Sequence, residues 1–190
     1  MKKLPALLLA LSLLSLSACG GQEPAPTPTP SPSSAPSEAQ EKTVLTAMPA
    51  FTTTDLEGNE VTSDIFAQKD LTVVNLWGTF CTPCINEMPE LAAWSEELPD
   101  NVQLIGIVCD LSAGSDRATY DLAVDIVTRA GVTFPCLLAC EDMNDLLGAV
   151  VGVPTTIFVD REGNLVGQAV LGAYVEQYKA TVEELLNGQT

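Results

Sequence analysis

The chain has 190 residues, with 25 acidic against eight basic side chains and no histidine. A net charge of −17 excludes an ordinary nucleic-acid binder, which needs clustered Lys and Arg to meet phosphates. The missing imidazole removes Cys-His nucleophilic dyads, His-ligated zinc or copper, and any imidazole base.

Met1-Lys2-Lys3 is a positive start, followed by an apolar stretch over residues 4–16. At about 1.5 Å per residue this stretch reaches only about 20 Å, short of a hydrocarbon core of about 30 Å. Residues 1–18 therefore read as an export signal rather than a spanning anchor. They end Leu16-Ser17-Ala18-Cys19, which resembles a bacterial lipobox. That likeness implies cleavage before Cys19 and a lipid on its sulfur, with an ordinary signal-peptidase site as the alternative. A lipid there would hold the protein at a cell membrane, on its extracytoplasmic face. Residues 19–42 contain six of the 13 prolines, mixed with Ser, Thr and Ala. Such a segment cannot bury apolar area and reads as an extended, disordered tether. Without Lys2 and Lys3, six basic residues stand against 25 acidic, a balance of −19. Anionic lipid would repel this domain, so the lipid on Cys19 must do the anchoring.

Residues 43–190 are enough for one domain with a single core. Residues 50–54 and 60–62 read as strands around a Leu56-Glu57-Gly58-Asn59 turn. A short helix follows at 63–66. Residues 71–77 are nearly continuous apolar, as in a central strand buried on both faces. Residues 82–98 read as a helix that Pro89 should kink. Residues 102–109 form another buried strand. Residues 115–130 are helical, with Ala118, Leu122 and Ile126 on one face and Gly131 as the stop. A short strand at 133–138 and a brief helix at 142–147 come next. Strands at 155–160 and 165–170 flank the hairpin turn Arg161-Glu162-Gly163-Asn164. Val175, Tyr178, Val182 and Leu185 line one face of a last helix. Alternating strands and helices imply an α/β fold, a mixed sheet with helices on both faces.

The chemistry concentrates in Trp77-Gly78-Thr79-Phe80-Cys81-Thr82-Pro83-Cys84. Two cysteines two residues apart, at a strand-to-helix junction, can close a small disulfide ring. The first sulfur then sits at a helix N-terminus, where free N–H groups and the dipole favour the thiolate. Such a thiolate can attack another disulfide, and its partner can resolve the mixed intermediate. An inert stabilising disulfide is the plain alternative, and half of a zinc site looks the same.

From about Met48 onward the chain resembles the TlpA/ResA branch of the thioredoxin superfamily. The carrying motifs are Val73-Val74-Asn75-Leu76-Trp77, Cys81-Thr82-Pro83-Cys84, Glu87-Met88-Pro89 and Val153-Pro154-Thr155-Thr156. The resemblance implies a thioredoxin fold with an N-terminal β-hairpin and an inserted helix-strand unit. It implies a redox-active Cys81–Cys84 disulfide in place of any cofactor or metal, with Cys81 attacking and Cys84 resolving. It also implies a cis bond before Pro154, beside the sulfurs, where the backbone of Val153 can pair with an extended peptide. Trp77, Thr82, Pro83, Val153 and Pro154 are then the substrate-binding residues. Thioredoxins proper carry a buried Asp six residues before the first cysteine. Asn75 stands there, and Glu87 is the branch's substitute acid, placed to take the Cys84 proton; a solvent-facing helix glutamate is the alternative.

Three further cysteines depart from that pattern. Cys109 ends one expected strand and Cys140 lies just beyond another, which the resemblance places on the same side of the sheet, so the two could form a second disulfide. Cys136 reads as a small buried apolar side chain.

The activity implied is a thiol–disulfide oxidoreductase that reduces specific protein disulfides. Apocytochrome c and an exported methionine sulfoxide reductase are candidate recipients, and a membrane thiol carrier of the CcdA/DsbD kind is the electron source. A single copy is expected to act alone. A peroxiredoxin would need Thr or Ser three residues before its reactive cysteine, where Gly78 stands. A copper carrier of the Sco type needs a wider cysteine spacing and a histidine. A redox-inert thioredoxin-fold binding protein is the last alternative.

Overall fold

The computed structural model describes residues 45–188. The expected export signal, the expected lipidation site at Cys19 and the expected tether fall outside the described residues. The chain opens with β1 (Thr52–Thr54) and β2 (Glu60–Thr62), an antiparallel hairpin whose turn contains Gly58 at φ 87°. A 3-10 helix at Ser63–Gln68 takes the place of the expected short helix.

Then come β3 (Leu71–Trp77), α1 (Thr82–Ser95), β4 (Val102–Ser112), α2 (Arg117–Ala130) and β5 (Cys136–Ala139). A 3-10 turn at Glu141–Met143 leads into α3 (Asn144–Ala149). The hairpin of β6 (Thr155–Asp160) and β7 (Leu165–Leu171) precedes α4 (Val175–Gly188). Among the described residues, no helix is long and apolar enough to cross a membrane.

The main sheet has the order β5-β4-β3-β6-β7. β4 runs parallel to β3 and β5 parallel to β4, while β6 and β7 run antiparallel. This is the mixed thioredoxin-type sheet, with α2 and β5 as the inserted helix-strand unit. Every residue of β3 is buried, because both faces of the central strand are covered. Val73 and Trp77 pack with Met88 and Leu91 of α1, Ala123 of α2 and Val182 of α4. Val74 and Leu76 point the other way, toward Phe66, Met143 and Leu146.

Helix ends follow side-chain chemistry. Asp116 caps α2 by accepting the Thr119 amide at 3.0 Å, and Gly131 closes it at φ 73°. Pro89 lies inside α1, yet the helix runs unbroken from Thr82 to Ser95. Losing one amide donor does not stop a helix whose buried face is fixed by Met88, Leu91 and Trp94. β5 starts at Cys136, later than expected, immediately after Pro135, which has no amide to give a ladder.

Candidate active site

Cys81 and Cys84 form a disulfide at the head of α1, with α-carbons 5.3 Å apart. Cys81 is the N-cap residue, and its sulfur accepts the Cys84 amide at 3.2 Å. The helix thus caps itself with the first sulfur of the pair. After reduction the same amide would stabilise a thiolate there. Cys81 is 6% exposed and Cys84 is sealed at 0%. Thr82 and Pro83 between them are exposed.

The Val153–Pro154 peptide bond is cis, and the Cys81 sulfur lies 3.4 Å from the Val153 carbonyl oxygen. Sheet register brings these distant segments together. β3 and β6 are antiparallel, with Leu76 opposite Thr155, so β3 ends where β6 begins. Cys81, Thr82, Pro83 and Val153 line a hollow of about 650 Å³ with Phe80, Cys109, Leu147 and Val151. Phe80 is 72% exposed and Val151 88%, so the rim is apolar.

A buried polar network lies behind the sulfurs. Asn75 faces Thr156 across the β3–β6 ladder. Its amide donates to Glu87 Oε1 at 3.0 Å and to Thr156 Oγ1 at 3.1 Å. From α4, the Tyr178 hydroxyl lies 3.0 Å from Glu87 Oε2. Burial pushes the Glu87 carboxyl above its ordinary value of 4.5; the bonds from Asn75 and Tyr178 pull it back, and nearby Glu90 raises it again. Burial prevails. The expected carboxyl is therefore inside the protein, one turn past Cys84, and not on the helix surface. Asn75 Oδ1 has no partner.

The loop before Cys81 is tied down by a contact that sequence reasoning missed. The Asp110 carboxylate accepts the Thr79 amide at 3.0 Å and the Thr79 hydroxyl at 2.6 Å. Asp110 is 31 residues away in sequence, and only the parallel β3–β4 register reveals the pairing. The exposed ring of Phe80 was legible only as the lone large apolar residue in the loop.

Two expectations are corrected. Trp77 is fully buried and cannot touch a substrate. Strand alternation turns it inward with Val73 and Asn75, where its Nε1 would sit 3.0 Å from a Cβ on Gly106. Phe80 is the aromatic side chain that stands exposed at the hollow. Cys109 and Cys140 form no second disulfide; both are free thiols, as is buried Cys136. β4 carries a register shift here: Val108 pairs with Leu138 and Ser112 with Ala139, leaving three β4 residues unmatched. Cys109 lies in that bulge and faces the active-site hollow, while Cys140 faces a different one beside Thr52 and Glu141. Burial and the neighbouring Asp110 push the Cys109 thiol up to about 12, and burial does the same for Cys136.

A Cys-x-x-Cys disulfide at a helix head, a cis-proline loop beside it and this sheet order define a thioredoxin-fold thiol–disulfide oxidoreductase. Residues 44–168 match the AhpC/TSA family, and the chain belongs to that family. It is 30% identical over 142 residues to the thiol-disulfide oxidoreductase ResA of Bacillus thuringiensis subsp. konkukian, covering 73% of each chain. It is 24% identical to the sporulation thiol-disulfide oxidoreductase A of Bacillus subtilis, over 78% of this chain and 88% of that one. Among solved structures, a DsbF homologue from Corynebacterium diphtheriae matches with a TM-score of 0.57 at 25% identity, covering 73% of this chain and 85% of that one. StoA from Bacillus subtilis has the same fold, with a TM-score of 0.55 at 20% identity, covering 72% of this chain and 98% of that one.

Proposed function

We propose that this oxidoreductase works as a reductant of particular protein disulfides at the outer face of a cell membrane, held there by a lipid on Cys19. The observation that carries the chemistry is the contrast within the pair. Cys81 lines the open hollow beside the Val153 carbonyl, and Cys84 is closed off on the same helix as the buried Glu87. The Cys81 thiolate attacks a substrate disulfide, making a mixed disulfide and releasing one substrate thiolate. Cys84 then gives its proton to Glu87 and attacks the Cys81 sulfur. That closes the Cys81–Cys84 bond and frees the second substrate thiolate. Two electrons pass to the substrate, and no cofactor is needed beyond the dithiol. Val153, beside the cis Pro154, offers its backbone to the incoming peptide, and Thr82 and Pro83 present the exposed edge of the ring.

A membrane thiol carrier of the CcdA/DsbD kind would return the electrons. Apocytochrome c or an exported methionine sulfoxide reductase fits as recipient. The reduction potential, measured against glutathione, tests the direction. The superfamily spans about 150 mV, and a value near the oxidising end, about −120 mV, would overturn the reductant reading. Insulin reduction with dithiothreitol separates an active dithiol from an inert binding protein, and hydrogen peroxide consumption separates it from a peroxide reductase. Cys19→Ala should release the protein from membranes or block its processing; unchanged retention and mature mass would remove the anchor.

A further inference from the structure

The Tyr178 hydroxyl has one proton and more than one oxygen to give it to. It lies 2.5 Å from the Gly172 carbonyl and 3.0 Å from Glu87 Oε2, and it accepts the Tyr174 amide at 3.2 Å. A single proton cannot serve both oxygens. When Glu87 is ionised, the phenol proton belongs on the carboxylate. When Glu87 is neutral, its own proton can turn to the phenol oxygen, and the phenol donates to Gly172. Each arrangement gives the buried carboxyl a partner, which a burial this complete requires. Gly172 has a second bond: its amide donates to the Pro154 carbonyl at 2.8 Å. One residue therefore joins the hydroxyl to the cis-proline segment beside Cys81.

We propose that Tyr178 is a positioning residue whose proton alternates between Glu87 and Gly172, so that protonation of the buried acid is coupled to the loop that braces Pro154. The hydroxyl can do this because it stays neutral; burial pushes it up to about 12. Few other groups compete. Glu87 is met by Asn75 from β3 and Tyr178 from α4, with Cys84 and Glu90 on its own helix. Thr156 from β6 accepts the Asn75 amide at 3.1 Å. Glu90 is paired outside with Lys179 at 3.5 Å, and Lys179 also holds Glu176 at 2.6 Å. The inference deepens the proposed role of Glu87 as the Cys84 base but does not require it.

The test is an NMR titration of the oxidised full chain from pH 4 to pH 9, following the Glu87 carboxyl carbon and the Gly172 and Tyr174 amides. In the wild type, both amides should shift with the midpoint of Glu87. In Tyr178→Phe the ring remains but the donor is gone. The Glu87 midpoint should then rise by about one pH unit, and the Gly172 amide should no longer follow that titration. In Glu87→Gln the two amides should be flat across the range. Amides that do not follow Glu87 in the wild type would overturn the coupling, a result that needs no variant to fold. An unmoved Glu87 midpoint in Tyr178→Phe would overturn it as well. Failure of Glu87 as the Cys84 base would show separately, as an unchanged resolution rate in Glu87→Gln.

Discussion

Asn75 on the sheet's central strand donates its side-chain amide at 3.0 Å to Glu87 on α1, and both residues are buried. A neutral amide at this position leaves the pocket with one carboxyl rather than two. That carboxyl has two donors aimed at its ionised form, yet burial still raises it above 4.5. The group is therefore poised to hold a proton that a surface glutamate would have lost.

The first consequence is for stability. A raised folded-state carboxyl means the native protein binds its proton more tightly than the unfolded chain does. The stabilisation is complete below the ordinary 4.5 and is lost as pH rises through the folded value. Glu87→Gln carries no such loss. Urea unfolding of the oxidised domain at pH 4, 6 and 8 should show the variant gaining on the wild type as pH rises. Each tenfold difference in proton affinity between the folded and unfolded chains is worth about 1.4 kcal/mol of that gain. A difference that stays constant across the three pH values would refute the raised carboxyl.

The second is kinetic. Resolution requires Cys84 to lose a proton inside the protein, whereas first attack is made by Cys81 at the helix head. Glu87→Gln should slow resolution near neutral pH by about 10²-fold, with the deficit shrinking at higher pH. Alkylation of Cys81 should change far less. Stopped-flow measurement of both steps checks this; normal resolution with collapsed Cys81 reactivity would put Glu87 on the other sulfur.

The division of labour between the sulfurs can be seen by trapping. Cys84→Ser should accumulate a mixed disulfide through Cys81, visible on a non-reducing gel or by mass. Cys81→Ser should accumulate none, since Cys84 is fully enclosed. Equal trapping by both variants would reverse the argument from exposure.

The remaining thiols offer a count. Alkylation of the oxidised, denatured domain should label Cys109, Cys136 and Cys140. Under native conditions Cys136 and Cys109 should react slowly at pH 8, both being pushed up to about 12. A single labelled cysteine would restore the Cys109–Cys140 bridge.

Much of the fold was legible because it rests on local signals. The buried run at β3, the Gly131 stop and the Gly163 turn each follow from a few adjacent residues. The Cys81–Cys84 pair and Pro154 were legible as motifs. What could not be read is set by register. The bulge in β4 depends on how that strand meets β5, and it carries Cys109 away from Cys140. The inward turn of Trp77 depends on which face α1 covers. Tyr178 looked like one more apolar position of a helix face, and its hydroxyl acquires a role only when α4 is laid against α1.

The carbonyl of Val153 meets a sulfur 72 residues earlier in the chain. A polypeptide emerging N-terminus first therefore displays both active-site cysteines well before β6 exists to complete their surroundings. Until then they are two thiols in an unfinished segment, as open to scrambling with Cys109 or Cys136 as to useful exchange. A chain cut ahead of Val153 would retain the whole Cys-Thr-Pro-Cys motif and lack the cis-proline segment that lies beside Cys81. Possession of the dithiol and possession of the enzyme are thus separable states, and substrate turnover reports that synthesis and sheet closure are both finished.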